Sequence, residues 1–201
     1  MTPLPASLLA GTPPPPGPCA DLGAAMRALV PVLDTLRTRL RAPTLGDFPA
    51  WASLMDGPRS VHMGGPLSPE DAAYDFAACV ATWTLRGHGA WAVEARDGAL
   101  LGFVMVGFEP SDREPELGWM MLPEAEGQGL AHEAARAARD WARAMGLASL
   151  VSYVGPANAR SLRLADRLGA RPDPAAQAAF AGTDDADTVV MRHWGAPGGP
   201  A

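Results

Sequence analysis

One twenty-residue segment constrains the fold of this chain more than any other, because it joins a strand to a helix through a loop that contains two glycines. Residues 116–135 read ELGWMMLPEAEGQGLAHEAA. The apolar run at 117–122 predicts a strand, and the alanines that follow Gly129 at helical spacing predict a helix with one buried face. The free amides of a first helical turn and the helix dipole converge on such a loop. The segment therefore predicts an anion site.

Two alternatives to this interpretation are a tight turn that binds nothing and a dinucleotide-binding turn. The dinucleotide motif G-x-G-x-x-G/A requires a small residue where this chain has His132. It also requires an acid at the end of the next strand, and the strand predicted at 150–154 ends without one. These departures exclude the dinucleotide motif, while the plain turn stays open on spacing alone.

The other start and stop signals predict an α/β domain. Ser68-Pro69 followed by acids predicts a helix start, and Gly87 predicts its end. Asp97-Gly98 between two apolar runs predicts a hairpin. The remaining predicted elements are a helix from Thr44, strands at 90–95, 101–108, 150–154 and 188–193, and helices at 130–146 and 158–168. Their order indicates a mixed sheet with helices on both faces. Trp83, Trp91 and Trp119 are interpreted as core residues in preference to walls of an acceptor pocket.

The ends of the chain differ in texture from its middle. Eight prolines precede Val32, and charge is nearly absent before Asp21. We therefore expect a Pro-rich, flexible tail over residues 1–33, one folded domain over 34–194 and a short tail over 195–201.

Charge and composition exclude several function classes. A net charge of −6 argues against nucleic-acid and anionic-membrane partners. Cys19 and Cys79 lie far apart with no CxxC and no neighbouring His, so we expect free thiols and no metal site. No apolar run is long enough to span a bilayer and the first ten residues lack a signal-peptide pattern, so we expect a cytoplasmic protein.

The loop and the segments around it resemble the GNAT superfamily of N-acetyltransferases. Residues 126–131, EGQGLA, resemble the pyrophosphate loop Q/R-x-x-G-x-G/A, and 131–134, AHEA, resemble a sequence common in the ribosomal-protein N-terminal acetyltransferase (RimJ/RimL-like) branch. Residues 34–41 resemble the opening strand of that branch, 116–119 its central strand and 156–169 its last helix. The resemblance spans about residues 34 to 194. Glu126 departs from the motif, and we expect its carboxylate to point to solvent, away from a bound pyrophosphate.

The resemblance implies a fold, a reaction and a co-substrate. It implies a mostly antiparallel sheet splayed in the middle, and direct transfer of an acetyl group from acetyl-CoA to a primary amine. The amine belongs to a small molecule or to a protein N-terminus. A homodimer is compatible with it. The alternative is a non-catalytic protein of the same fold that binds coenzyme A or a partner, which the carboxylate of Glu126 and the absence of a suitably placed Tyr keep open.

The resemblance also assigns site residues. Glu116 is the general base, although Glu114 lies two residues away and stays an alternative. Ser161 lies at the thioester sulfur, and Asn158 binds the pantetheine arm or caps its helix. The other cofactor-binding residues are the backbone of Met120, Met121 and Leu122 and the loop residues Gly127, Gln128, Gly129, Leu130 and Ala131.

Overall fold

Eight strands form one open sheet in the part of the chain that the computed structural model describes, which is residues 13–110, 112–183 and 186–195. The strands are β1 (Leu33–Asp34), β2 (Thr38–Arg41), β3 (Ala90–Ala95), β4 (Leu100–Gly107), β5 (Glu116–Met121), β6 (Leu150–Val154), β7 (Arg171–Pro172) and β8 (Val189–Trp194). Their order across the sheet is β1-β2-β3-β4-β5-β6-β8-β7. β5 and β6 pair in parallel, and the other pairs are antiparallel. The prediction of a mixed, mostly antiparallel sheet is confirmed.

Six helices accompany the sheet among the described residues. They are α1 (Pro18–Ala28), α2 (Phe48–Asp56), α3 (Pro69–Arg86), α4 (Leu130–Ala144), α5 (Ala159–Arg167) and α6 (Pro174–Gln177). The predicted start of α3 is confirmed, since the Ser68 hydroxyl accepts from the Asp71 amide at 3.1 Å. Its predicted end is confirmed as well, since Gly87 follows with a φ of 76°. None of these helices is long and apolar enough to cross a membrane.

Helices cover both faces of the sheet, as predicted. On one face, Trp91 and Val104 pack against the buried alanines of α4, among them Ala135 and Ala138. Alanine side chains are short, so α4 lies close to the strands and its first turn is held at the end of β5. On the other face, α2 and α3 bury a second cluster around Phe103.

Two segments differ from the prediction. Residues 34–41 form a hairpin of β1 and β2 rather than one strand, because the Thr35 hydroxyl bonds both the amide and the carbonyl of Thr38 and closes a turn. The short elements β7 and α6 were not predicted. α6 begins at Asp173, whose carboxylate accepts from the Ala176 amide at 3.0 Å and caps the helix. The sequence of this short segment did not predict that cap.

The segment before the sheet contains α1, which buries none of its residues. Val30 packs on the core and the Trp91 indole donates to the Pro31 carbonyl at 2.8 Å. The domain boundary at residue 33 stays a prediction, and these two residues contact the domain from upstream of it. The remainder of both predicted tails, residues 1–12 and 196–201, lies outside the described residues.

Candidate active site

β5 and β6 lie side by side where they begin and then separate. Glu116 opposite Val151 is the register pair that joins them in the described part of the chain. The Val151 amide donates to the Pro115 carbonyl at 3.1 Å, and the Ser152 hydroxyl donates to the Leu117 carbonyl at 2.6 Å. Past these bonds the two facing edges are unpaired, which confirms the predicted splay. An extended chain that carries amides fits such an edge as an added strand.

The backbone groups of β5 alternate between its two sides. Leu122 donates its amide to the Leu101 carbonyl at 2.9 Å, and its own carbonyl accepts from the turn that follows. Because successive residues of a strand direct these groups to opposite edges, Met120 also faces β4, whereas Met121 and Trp119 face the opening. Of the three predicted pairing residues, the geometry therefore favours Met121. The same alternation adds the backbone of Trp119, which the sequence had not assigned to cofactor binding.

The two glycines of the loop have left-handed backbone, with φ of 73° at Gly127 and 76° at Gly129. Side chains disfavour that conformation, so the loop can take this shape cheaply only with glycine. A Cβ added at Gly127 would project into open space. Gly129 immediately precedes α4, and no side chain among the described residues caps that helix. The amides of its first turn, including Leu130 and Ala131, are therefore open to an anion.

A cluster of hydrogen bonds joins the glycine loop and the first turn of α4 to the β1–β2 hairpin. The Glu133 carboxylate accepts from the Thr35 hydroxyl at 2.6 Å, from the Arg37 amide at 2.6 Å and from Arg37 Nε at 2.7 Å. Arg37 Nη1 also donates to the Gln128 carbonyl at 2.9 Å. Burial of Glu133 opposes ionisation, but these hydrogen bonds outweigh it and lower its pKa to about 2. Arg37 and Glu133 thus position the loop, a role that the sequence did not reveal.

Glu116 lies at the first position of β5, where the opening begins. Its Oε1 accepts from the Tyr153 amide at 3.2 Å. Burial raises the pKa of Glu116 to about 8, and the charges of Asp112 and Glu109 add to the rise, against the lowering effect of the Tyr153 amide. The carboxyl group can therefore exchange a proton near neutral pH, as a general base must.

Glu114 has a different environment, although it is two residues away. Its carboxylate forms a bidentate ion pair with Arg192, at 2.6 and 2.8 Å, and Arg192 Nε also donates to Asp173 at 2.5 Å. The hydrogen bonds from Arg192 lower the pKa of Glu114, against the opposing effect of burial. All three side chains are no more than 10% exposed. Glu114 is thus held as a permanent anion in a structural triad, and the geometry favours Glu116 as the base.

A cleft of about 180 Å³ opens beside Glu116, between α3 and the ends of β4 and β5. Its lining residues are Asp75, Ala78, Cys79, Thr82, Ala90, Met105, Gly107, Phe108, Glu109, Pro110 and Glu116. The lining contains three acids and no Lys, Arg or His. Cys79 is a free thiol, and burial raises its pKa. The cleft is therefore largely apolar with three acidic groups in its lining, which suits a small cationic molecule.

Comparison with known families identifies this arrangement. Residues 37–171 match the family described as the acetyltransferase (GNAT) domain, which is more than half of the chain. The chain belongs to the GNAT acetyltransferase family. An acetyltransferase from Agrobacterium tumefaciens has a similar crystal structure, with 37% identity and a TM-score of 0.75 over 82% of this chain and 95% of that one. The protein is thus an acyltransferase by family.

More distant GNAT structures share the fold. The ribosomal L7/L12 α-N-protein acetyltransferase RimL, solved with coenzyme A, has 17% identity and a TM-score of 0.63 over 81% of this chain and 96% of that one. A spermidine N-acetyltransferase from Vibrio cholerae, solved with coenzyme A and spermine, has 18% identity and a TM-score of 0.58 over 79% of this chain and 94% of that one. One acts on a protein and the other was solved with a polyamine, so the shared fold does not decide the acceptor.

Two further residues that the sequence predicts for the site lie at the start of α5. Asn158 caps that helix, since its Oδ1 accepts from the Ser161 amide at 3.1 Å. The capping role is therefore present, and it leaves the Asn158 side-chain NH₂ as a donor. Ser161 is half-buried in the first turn. The helix that carries them lies beside the glycine loop, because Arg160 Nη2 donates to Glu126 Oε2 at 2.8 Å.

Glu126 is held by two arginines in the free protein, and its turning to solvent beside a bound pyrophosphate stays a prediction. Arg160 binds one of its oxygens, and Arg59, from the α2–α3 connection, binds the other. The hydrogen bonds from these guanidinium groups outweigh the effect of burial and lower the pKa of Glu126. The negative charge that departs from the family motif is thus neutralised in space by two cations that are remote in sequence.

The Tyr153 hydroxyl is engaged by backbone amides just before β5. It accepts from the amides of Arg113 and Glu114, at 3.3 and 3.2 Å, and burial raises the pKa of Tyr153 to about 12. Among the described residues no group of three or more His, Cys, Asp or Glu could hold a metal ion.

Proposed function

We propose that this GNAT protein transfers an acetyl group from acetyl-CoA directly to a primary amine, with Glu116 as the general base. The observation that carries the proposal is the position of Glu116, which lies on the cleft wall and also at the point where β5 and β6 part. A group at that point faces both an amine in the cleft and an acyl donor in the opening. Such placement of two reactants is a large part of catalysis.

The lining of the cleft supports an amine that enters as a cation. Asp75, Glu109 and Glu116 attract an ammonium group, and no cation in the lining is available to hold a carboxylate. A volume of about 180 Å³ is below the ~300 to 1,000 Å³ of drug-sized pockets. The cleft therefore suits a small amine or the terminal residue of a peptide.

Glu116 then has a defined task. An alkylammonium has a pKa near 10, so it must lose a proton before its nitrogen can attack a carbonyl carbon. The pKa of about 8 gives Glu116 a basicity close to the working pH, and an approaching cation stabilises its ionised form. The N–C bond forms, the C–S bond breaks, and the proton passes to Glu116 directly or through a water.

Acetyl-CoA supplies the thioester and a thiolate leaving group that is tolerable near neutral pH. Its phosphates would bind the amides of the loop, which are those of Gly127, Gln128, Gly129, Leu130 and Ala131. The backbone of Met121 and Trp119 would pair with the pantetheine amides, and the Asn158 side chain would bind the same arm. We place the Ser161 hydroxyl near the sulfur, where it would donate to the departing thiolate.

The test is a panel of amines in an assay for thiol release from acetyl-CoA, with mass spectrometry of the acceptor. The panel contains an alkyl diamine, an aminoglycoside, a free amino acid and a peptide with a free N-terminus. Acceptor-dependent release that falls in Glu116→Gln and persists in Glu124→Gln, an exposed acid near the loop, supports the proposal. Binding of acetyl-CoA without any acetylated product would instead favour the non-catalytic alternative.

A cytoplasmic location and a homodimer stay predictions.

A further inference from the structure

Three charged side chains from separate parts of the chain meet beside the glycine loop. Arg59 lies in the connection between α2 and α3, Glu126 directly precedes Gly127, and Arg160 lies in the first turn of α5. Each arginine binds one oxygen of the Glu126 carboxylate, and Arg160 does so at 2.8 Å. We call these three residues the Arg–Glu–Arg bridge.

The bridge spans the opening between the splayed strands. Glu126 follows β5, whereas Arg160 follows β6, so their ion pair joins the two walls past the point where backbone pairing ends. Arg59 reaches Glu126 from the connection between α2 and α3. The bridge therefore lies between the opening and the glycine loop, since Glu126 directly precedes Gly127.

The Arg–Glu–Arg bridge carries an unbalanced positive charge. Two guanidinium groups share one carboxylate, which leaves a net charge of +1 at a loop whose free amides also favour an anion. Each guanidinium has five N–H donors, and the bridge uses Nη1 of Arg59 and Nη2 of Arg160. The side chains of Arg59 and Arg160 are 45% and 62% exposed, so the other donors are accessible.

Exchange of partners is energetically easy at such a site. Ion pairs this exposed contribute little net stability, so breaking them costs little. A pyrophosphate carries more charge than one carboxylate, and its oxygens match the planar donor fork of arginine. A Glu126 carboxylate left beside the phosphates would repel them.

We propose that Arg59 and Arg160 are phosphate ligands for coenzyme A, which Glu126 holds over the loop in the free protein and releases when the cofactor binds. The inference rests on the proposed function, since it takes the loop to be the phosphate site. This chain has Glu126 where the family motif has Gln or Arg. Two arginines outside the loop would supply the positive charge that this position lacks.

The test compares two ligands that differ in their phosphates. Coenzyme A and pantetheine, which lacks every phosphate, are titrated into the wild-type protein and into Arg59→Gln, Arg160→Gln, Glu126→Gln and Arg136→Gln. Dissociation constants come from calorimetry for coenzyme A and from thermal shift at high concentration for pantetheine. Arg136 is an exposed arginine on α4 that serves as the matched control for lost charge.

We expect Arg59→Gln and Arg160→Gln each to raise the dissociation constant of coenzyme A about tenfold, the weaker end for a charge-assisted hydrogen bond. Pantetheine binding should stay within about twofold, and Glu126→Gln should tighten coenzyme A binding, because it removes the competing anion. The reverse pattern overturns the inference: equal losses for both ligands, or weaker coenzyme A binding in Glu126→Gln, would make the bridge structural. A wild-type protein that binds no coenzyme A would instead defeat the proposed function itself.

Discussion

Glu116→Gln tests the assignment of the base through stability as well as activity. The pKa of Glu116 is raised from its ordinary 4.5 to about 8 in the folded protein, chiefly by burial. Between these values the unfolded chain releases the proton and the folded chain keeps it. Folding stability therefore falls as pH rises through this window, because the folded state binds more protons than the unfolded one. Glutamine is neutral at every pH and removes this penalty.

The size of the effect follows from the window. Each pH unit between 4.5 and about 8 adds about 1.4 kcal/mol, so the full penalty at pH 9 has an upper bound of about 5 kcal/mol. Water in the cleft and local rearrangement reduce it. A third of that bound, about 1.5 kcal/mol, still corresponds to about 3 to 6 °C in Tm for a domain of this size.

The assay is a Tm measurement of wild type, Glu116→Gln and Glu124→Gln at pH 5, 7 and 9. Glu116→Gln should match wild type at pH 5 and exceed it by at least about 3 °C at pH 9, while turnover falls by about one to three decades at pH 8. Glu124→Gln should follow wild type throughout. A Glu116→Gln variant with unchanged turnover, or with a Tm difference that does not grow with pH, would refute the reasoning.

Three other changes have expected outcomes. Gly129→Val should abolish the rise in Tm caused by acetyl-CoA while circular dichroism still shows the apo fold, because a β-branched residue is strained at a φ of 76°. Glu114→Gln should lower Tm at pH 7 by several degrees, since it breaks a buried pair with Arg192; this loss should shrink as pH falls through the lowered pKa of Glu114. A chain that begins at residue 29 should keep the wild-type Tm, whereas one that begins at residue 32 should lose about 3 °C or more with the hydrogen bond from Trp91 to Pro31.

Local signals in the sequence predicted most of the fold. The Asp97-Gly98 turn between two apolar runs predicted β3 and β4 within one residue, because turn chemistry and apolar runs are properties of neighbouring residues. The cap at Ser68 did the same for α3. The Asp173 cap was missed because the segment it starts, α6, has four residues and carries no helical period of its own.

The contacts that shape the site are of another kind. Glu133 bonds Thr35 and Arg37 across more than ninety positions, and Glu126 bonds Arg59 across 67. No periodicity or spacing encodes such pairs, since they follow from which strands become neighbours in the sheet. The sequence therefore predicted the loop as an anion site but not the residues that fix its position or offset the charge of Glu126.

Glu114 and Glu116 show why the choice of a base needed the environment of each side chain. Glu114 lies two residues before β5 and Glu116 begins it, and the sequence could not decide which of the two is the base. Arg192 binds both oxygens of Glu114 and lowers its pKa, whereas Glu116 has one amide partner, and burial together with neighbouring acids raises its pKa to about 8. Environments that shift the pKa values of two carboxyl groups in opposite directions give the two groups different roles. The triad also fixes the chain immediately before β5. The ionised Glu114 therefore holds in place the end of the strand from which Glu116 faces the cleft.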